Sequence, residues 1–168
     1  MTWIPATLIT IATVLTMEFV AWAVHKYVMH GFLWYLHEDH HQVNHDHFFE
    51  KNDAFFIIFA VPSMALCLTN GAPEFGVGFW IGLGIAIYGA MYFFVHDIFI
   101  HQRFKIMRNT NSVYLQALRK GHKVHHKHLG KEDGECFGML LVPFKYFRAA
   151  RKAAATKKAS IAKHKLTH

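Results

Sequence analysis

Residues 17–41 read MEFVAWAVHKYVMHGFLWYLHEDHH, an apolar helix end that runs into five histidines. Their spacing is His25-x4-His30 followed by His37-x2-His40-His41, and the chain repeats it as His96-x4-His101 followed by His122-x2-His125-His126. Ten of the 15 histidines therefore share one order written twice. A lone imidazole on an apolar face is usually a core residue with its nitrogens hydrogen-bonded. Ten in a repeated order ask for another account. Neutral imidazole binds zinc, copper, iron and nickel, and one transition ion rarely takes more than six ligands, so ten imply two ions. Five nitrogens for each ion leave room for an exogenous ligand. A closed structural zinc site is four-coordinate and usually uses cysteine, whereas Cys67 and Cys136 stand far apart with no CxxC spacing.

Working outward, the 168 residues are one domain by length. Ile4 to Val24 is a 21-residue run whose only charge is Glu18, and Phe75 to Val95 is a second run of 21 with none. Each is long enough to span a bilayer. Ala54 to Leu68 is apolar and uncharged over 15 residues, and Asn70-Gly71-Ala72-Pro73 is a turn signal joining it to the next run, which makes it a third span. The alternative is a soluble bundle with unusually apolar helices. One histidine group follows the first span and the other follows the third, so an odd number of crossings places both on one membrane face. The expected fold is an all-α integral membrane bundle of three to four transmembrane helices carrying a cytoplasmic, histidine-rich dimetal cap. The expected division is a membrane domain over residues 1–147 and a basic tail over 148–168.

Of the 18 Lys and Arg residues, 16 lie between Arg103 and Lys165. The positive-inside tendency puts the histidine face and the C-terminus in the cytoplasm of a multi-pass protein of the cell inner membrane. The run from Arg148 to Lys165 is Ala/Lys-rich with no aromatic, so it reads as a solvated tail or a weak contact with anionic lipid, and not as a nucleic-acid surface. Two cysteines argue against a disulfide framework. Ala21-Trp22-Ala23 has the form of a signal-peptidase site, but no basic residue precedes the apolar run, which reads as an uncleaved anchor.

On a regular helix residues three and four apart lie within about 60° of one another, so each triplet crowds one side, while the adjacent pair diverges by about 100° and reaches toward two ions. The x4 pairs are about 140° apart and fit better where a span ends and the helix distorts. Asn109 to Ser112 supplies turn and N-cap residues for a helix over Val113 to Lys120 leading to His122. Cys136 to Phe144 is too short to cross and packs under the site or at the interface. The first triplet also contains HExxH, the signature of a zinc protease in which Glu38 is the general base. That reading uses His37 and His41 alone and leaves the second copy, with Lys123 in place of the glutamate, without a role.

Glu18, seven residues before His25 and so on about the same helix face, is a candidate to orient a histidine N–H, with a helix-packing hydrogen bond as the alternative. Asp97 is a second such candidate, followed by Asp39 and Asp53. His45, His47 and His128 border the clusters in solvated or supporting roles, and His164 and His168 belong to the tail. Phe93, Phe94, Phe99 and Phe104 read as packing before they read as a substrate groove.

These residues resemble the membrane-bound non-haem di-iron oxygenases of the fatty-acid-hydroxylase superfamily, and within it the bacterial beta-carotene hydroxylases. The resemblance runs from about Met17 to Pro143. It is carried by the ten histidines, Met17 to Trp22, Phe49-Glu50-Lys51-Asn52-Asp53, Val95-His96-Asp97, His101 to Phe104 and Phe137-Gly138. The chain departs from the pattern at Gln42 to His45, where relatives often carry a proline, and in the charged loop at 129–135. The resemblance implies hydroxylation of beta-ionone rings of a carotenoid taken from the bilayer. It implies two iron ions, replaceable by zinc on purification, with O2 as co-substrate and electrons from ferredoxin or an NAD(P)H-dependent reductase. A fatty-acid, sphingoid or sterol hydroxylase or a desaturase would use the same site. A metal carrier would instead place histidines within the spans.

Overall fold

The computed structural model describes residues 2–42, 47–71 and 74–166. His45, His168 and part of the turn at Asn70 to Pro73 fall outside them, and so do the readings made of those residues. The described elements are α1 (Trp3–Ala23), a π-helical turn over Val24–Phe32, α2 (Trp34–His41), a single 3-10 turn over Lys51–Asp53, α3 (Ala54–Thr69), α4 (Val77–Phe93), a second π-helical turn over Phe94–Ile100, α5 (Val113–His125) and α6 (Phe144–Leu166). The chain is all-helical, with no strand among the described residues.

Three of these stretches, Trp3–Phe32, Lys51–Thr69 and Val77–Ile100, are long and apolar enough to cross a membrane. In a soluble bundle such helices would turn their apolar side chains inward. Here Ile4, Leu8, Ile11, Leu15 and Phe19 form an exposed stripe along α1, and Phe56, Ile57, Val61, Met64 and Leu68 do the same on α3. Outward apolar stripes of this length suit lipid. α4 packs between α1 and α3. Without a hydrophobic drive between helices in lipid, close approach depends on small residues. A Cβ on Gly82 would come within 2.7 Å of the Ser63 carbonyl, and one on Gly84 within 2.6 Å of Thr13. The Ser63 hydroxyl donates to the Gly82 carbonyl at 2.7 Å across the same contact.

The helix distortion at the span ends is a π turn in both copies. Its hydrogen bonds run five residues, as in His101 N–H to the His96 carbonyl at 2.8 Å and Leu33 N–H to the Val28 carbonyl at 3.0 Å. Residues five apart, which diverge on an α-helix, are stacked by this geometry. The imidazoles of His25 and His30 thus sit 5.2 Å apart and those of His96 and His101 4.5 Å apart.

The Ser112 hydroxyl caps α5 through the Leu115 N–H, and the helix extends past Lys120 to carry His122 and His125, with His126 as its C-cap. The basic C-terminal segment continues as helix from Phe144, because Ala, Lys and Arg are strong helix formers. Tyr146 and Ala150 are buried against Ala117 of α5, while the turns beyond Ala154 are exposed. Between α5 and α6 the chain forms an irregular strap. Its apolar part does not cross, and Met139 packs with Val95, Phe99, Ile100 and Leu118 beneath the histidines.

Candidate metal centre

The ten histidines converge at one end of the spans, and the structure sorts them into two groups. His25, His30, His37, His41 and His125 bring one ring nitrogen each within 4.8 Å of one another, as do His40, His101, His122 and His126. His96 borders the second group, its Nε2 2.9 Å from that of His40. The grouping crosses the repeat. His40, the middle histidine of the first triplet, belongs to the second group, and His125, the middle histidine of the second triplet, belongs to the first. On each helix the adjacent pair splits, His40 from His41 and His125 from His126.

Hydrogen bonds fix the ring orientations. In the first group every Nδ1 faces an oxygen: His25 the Phe137 carbonyl at 2.9 Å, His30 that of Lys131 at 3.0 Å, His41 that of His128 at 2.8 Å, His125 that of Glu135 at 2.9 Å, and His37 the Asn52 amide oxygen at 2.7 Å. Such oxygens only accept, so each Nδ1 carries the proton and donates it. A neutral ring protonated on Nδ1 leaves Nε2 as a bare lone pair. Yet Nε2 of His25 lies 3.1 Å from Nε2 of His37, and Nε2 of His30 lies 3.2 Å from that of His125. Two lone pairs facing at that distance repel, and a cation between them removes the conflict.

Around the second group two rings, His40 and His96, are held by carboxylates. His40 Nδ1 donates to Glu50 at 2.6 Å, and His96 Nδ1 to Asp97 at 3.1 Å. Arg103 ties these acids together, with its guanidinium 3.0 Å from Asp53, 3.4 Å from Asp97 and 3.7 Å from Glu50. Burial pushes the Glu50 carboxyl above its ordinary range, with Arg103 opposing. The Nε2 atoms of His101 and His122 lie 2.8 Å apart.

The remaining test of fit is what lacks a partner. His41 Nε2, His122 Nδ1 and His126 Nε2 are buried with no hydrogen bond among the described residues, a costly state that a coordinated ion relieves. Burial also keeps these rings neutral. It lowers His37 and His126 to about 2, His125 to about 3 and His41 to about 4, and holds His40, His101 and His122 well below the usual imidazole range. Neutral imidazole is the form that ligates a metal. The donor set therefore fits two transition ions.

Among the acids singled out from sequence, Asp97 orients a histidine and Glu18 does not. Glu18 accepts from Tyr88 of α4, the helix-packing hydrogen bond that was its alternative, and from backbone amides of the strap. Asp39 accepts from the Lys51 N–H and Asp53 holds Arg103. His47 is exposed, and His128 contributes its carbonyl, which accepts from His41. His164 lies on the exposed part of α6. Phe99 is a core residue, while Phe94 and Phe104 are largely exposed and Phe93 is half-buried. Glu38 of the HExxH sequence is exposed and accepts from Gln42, turned away from His37 and His41. Glu50 and Asn52 orient histidines without having been singled out. Their signal was the stretch from Phe49 to Asp53, quoted above without a role for either residue.

Comparison with known proteins agrees with this geometry. A model of the fatty acid hydroxylase family matches residues 10–146. The beta-carotene hydroxylase of Paracoccus sp. (strain PC1) is 41% identical over 137 residues, covering 81% of this chain and 83% of that protein. That of Pantoea ananas is 38% identical over 143 residues, covering 85% and 81%. The chloroplastic beta-carotene 3-hydroxylase 2 of Arabidopsis thaliana is 36% identical over 139 residues, covering 80% of this chain and 45% of that longer protein. No solved structure matches. With the family model spanning both histidine groups and relatives of this similarity over four-fifths of its length, the chain belongs to the fatty acid hydroxylase family.

Proposed function

We propose that the chain hydroxylates the C3 and C3′ carbons of beta-ionone rings, taking beta-carotene through beta-cryptoxanthin to zeaxanthin, and canthaxanthin to astaxanthin. The observation that carries the reading is the convergence of oriented, neutral imidazole nitrogens on two adjacent points at the ends of apolar helices. The names of the relatives supply the substrate class.

A ring C–H bond yields to no acid, base or nucleophile at neutral pH, so a cofactor must do the hard step. The balance is one C–H, one O2, two electrons and two protons in, and one C–OH and one water out. Two iron ions, one held by His25, His30, His37, His41 and His125 and the other by His40, His96, His101, His122 and His126, would supply that oxidation with O2. Ferredoxin or an NAD(P)H-dependent reductase would supply the electrons. The chain's own part is orientation and exclusion. In the first group the Nδ1 bonds leave Nε2 free to ligate, and the rings of Phe137 and Trp34 wall that group from water. A carotenoid dissolved in the bilayer reaches this end of the bundle along its apolar exterior.

The concentration of 16 of 18 Lys and Arg residues after position 102 supports a multi-pass placement in the cell inner membrane with the histidine end and C-terminus cytoplasmic. Residues 1–147 form the hydroxylating unit in this reading, and 148–168 a basic extension.

Expression in cells that accumulate beta-carotene tests the function: zeaxanthin supports it, and unchanged beta-carotene overturns it. Metal analysis of anaerobically purified protein tests the cofactor. Two irons per chain support the assignment, whereas stoichiometric zinc with peptidase activity overturns it.

A further inference from the structure

Glu18 is buried within the first span, 8% exposed, where an uncompensated carboxylate is expensive. Its compensation is unusual. Oε1 accepts from three consecutive backbone amides, Met139 at 3.0 Å, Leu140 at 2.9 Å and Leu141 at 2.8 Å, while Oε2 accepts from the Tyr88 hydroxyl at 2.7 Å. Successive amides turned toward one oxygen make an anion cradle. Hydrogen bonds to an ionised acceptor are roughly twice as strong as neutral ones.

The cradle belongs to the strap that orients the first histidine group. Carbonyls of His128, Lys131, Glu135 and Phe137, all in the irregular segment between α5 and α6, accept from His41, His30, His125 and His25. Among the described residues no hydrogen bond joins residues 128–142 of the strap to the side chains of His40, His96, His101, His122 or His126. The fit around the carboxylate is tight, since a Cβ on Gly138 would lie 2.9 Å from Glu18 Oε1 and 3.0 Å from the Leu141 carbonyl. Cys136, between Glu135 and Phe137, is held at φ 63, a conformation that a residue with a side chain adopts only under constraint.

We propose that Glu18 is a positioning residue for one metal site only: by pinning the strap to α1 it sets the carbonyls that aim the five-histidine group, and leaves the group around His40 untouched. This rests on the dimetal reading above. A merely structural role would loosen both sites together, whereas a positioning role loosens one.

The test uses the full chain in detergent, loaded with iron anaerobically and then exposed to a chelator, with release followed by metal analysis. In the wild type both ions are retained or released slowly. In E18Q one ion is released at least ~10-fold faster and the other at the wild-type rate. Gly138→Ala, which disturbs the same contact from the strap and keeps the charge in α1, gives the same split release and decides the matter where E18Q does not fold. Tyr88→Phe, which leaves the three amide bonds in place, retains both ions. Limited trypsin digestion adds a readout independent of metal, because a released strap is cut faster at Lys131. Two ions retained in E18Q and G138A at the wild-type rate, or both lost together, overturns the proposal and leaves the dimetal reading standing. A wild-type chain that binds no metal overturns both.

Discussion

The two histidine groups draw on equivalent positions of one repeated pattern, and they are held by different materials. The first is aimed by four backbone carbonyls of the strap and one amide side chain, all neutral. In the second, His40 and His96 are aimed by the carboxylates of Glu50 and Asp97, gathered around Arg103. A carboxylate partner makes an imidazole a more basic ligand than a carbonyl partner does. One pattern thus yields two unequal sites, and the inequality lies outside the pattern.

The exchange of middle histidines is the strongest point at which to break this comparison. His125→Ala removes a ligand from the first group although it lies in the second copy, and His40→Ala does the converse. Each variant is expected to lose one ion and to lower hydroxylation more than ~100-fold, beyond the cost of removing a residue that only orients a ligand. Metal analysis of double variants assigns the sites. His125→Ala with His25→Ala loses one ion in all, and His125→Ala with His101→Ala loses both. The reverse result would mean that the groups follow chain order.

A smaller change separates the orienting partners. Glu50→Gln keeps the shape beside His40 and removes the charge, so the second site is expected to weaken by ~10- to 100-fold in a chelator competition while the first is unchanged. Asn52→Leu, which takes the acceptor from His37 Nδ1, weakens the first site alone, and by less, because four carbonyls still hold its other rings.

Acid tests what the two groups share. An imidazole in the unfolded chain titrates near 6.5, whereas burial holds His41 at about 4, His125 at about 3, and His37 and His126 at about 2 in the fold. Above ~6.5 both states are neutral at these rings and contribute no pH dependence. Below that value the unfolded chain takes up protons that the fold refuses, so stability falls with pH. His41 ceases to contribute to the slope near 4, where it protonates in the fold as well. Metal-free protein in detergent is therefore expected to melt at a constant temperature from pH 8 to about 7 and at a steadily lower one toward pH 4. A melting temperature that rises as the pH falls would contradict the burial of these rings.

Much of this was legible in the chain. The duplicated histidine order, the apolar runs and the parity of crossings place the two groups together before any coordinate is known. The x4 spacing, impossible for one face of an α-helix, marks the site of the π turns without naming them. What was illegible has a common cause, which is that a backbone group carries no side-chain signature. The carbonyls of Lys131, Glu135 and Phe137 and the amides of 139–141 lie in a loop whose sequence advertises charge and apolarity, so Glu18 pointed by helix register toward the histidines and not toward the strap. The carboxylate-held group is more readable, since Asp97 adjoins His96 and Glu50 sits in a segment singled out by resemblance.

The smallest expected effect bears on the meaning of the first triplet. His37 and His41 converge as HExxH requires, but that chemistry also needs the glutamate at the metal to take a proton from bound water. Glu38 faces solvent and accepts from Gln42 at 3.2 Å, one turn along α2, and its counterpart in the second triplet is Lys123. A position that is acidic in one copy and basic in the other, and exposed in both, serves the surface and not the metal. Glu38→Gln is therefore expected to leave metal content and hydroxylation within about twofold of wild type, as for most surface substitutions. Loss of activity with both ions in place would make Glu38 a participant, and would mean that the two copies of the pattern differ in chemistry as well as in their supports.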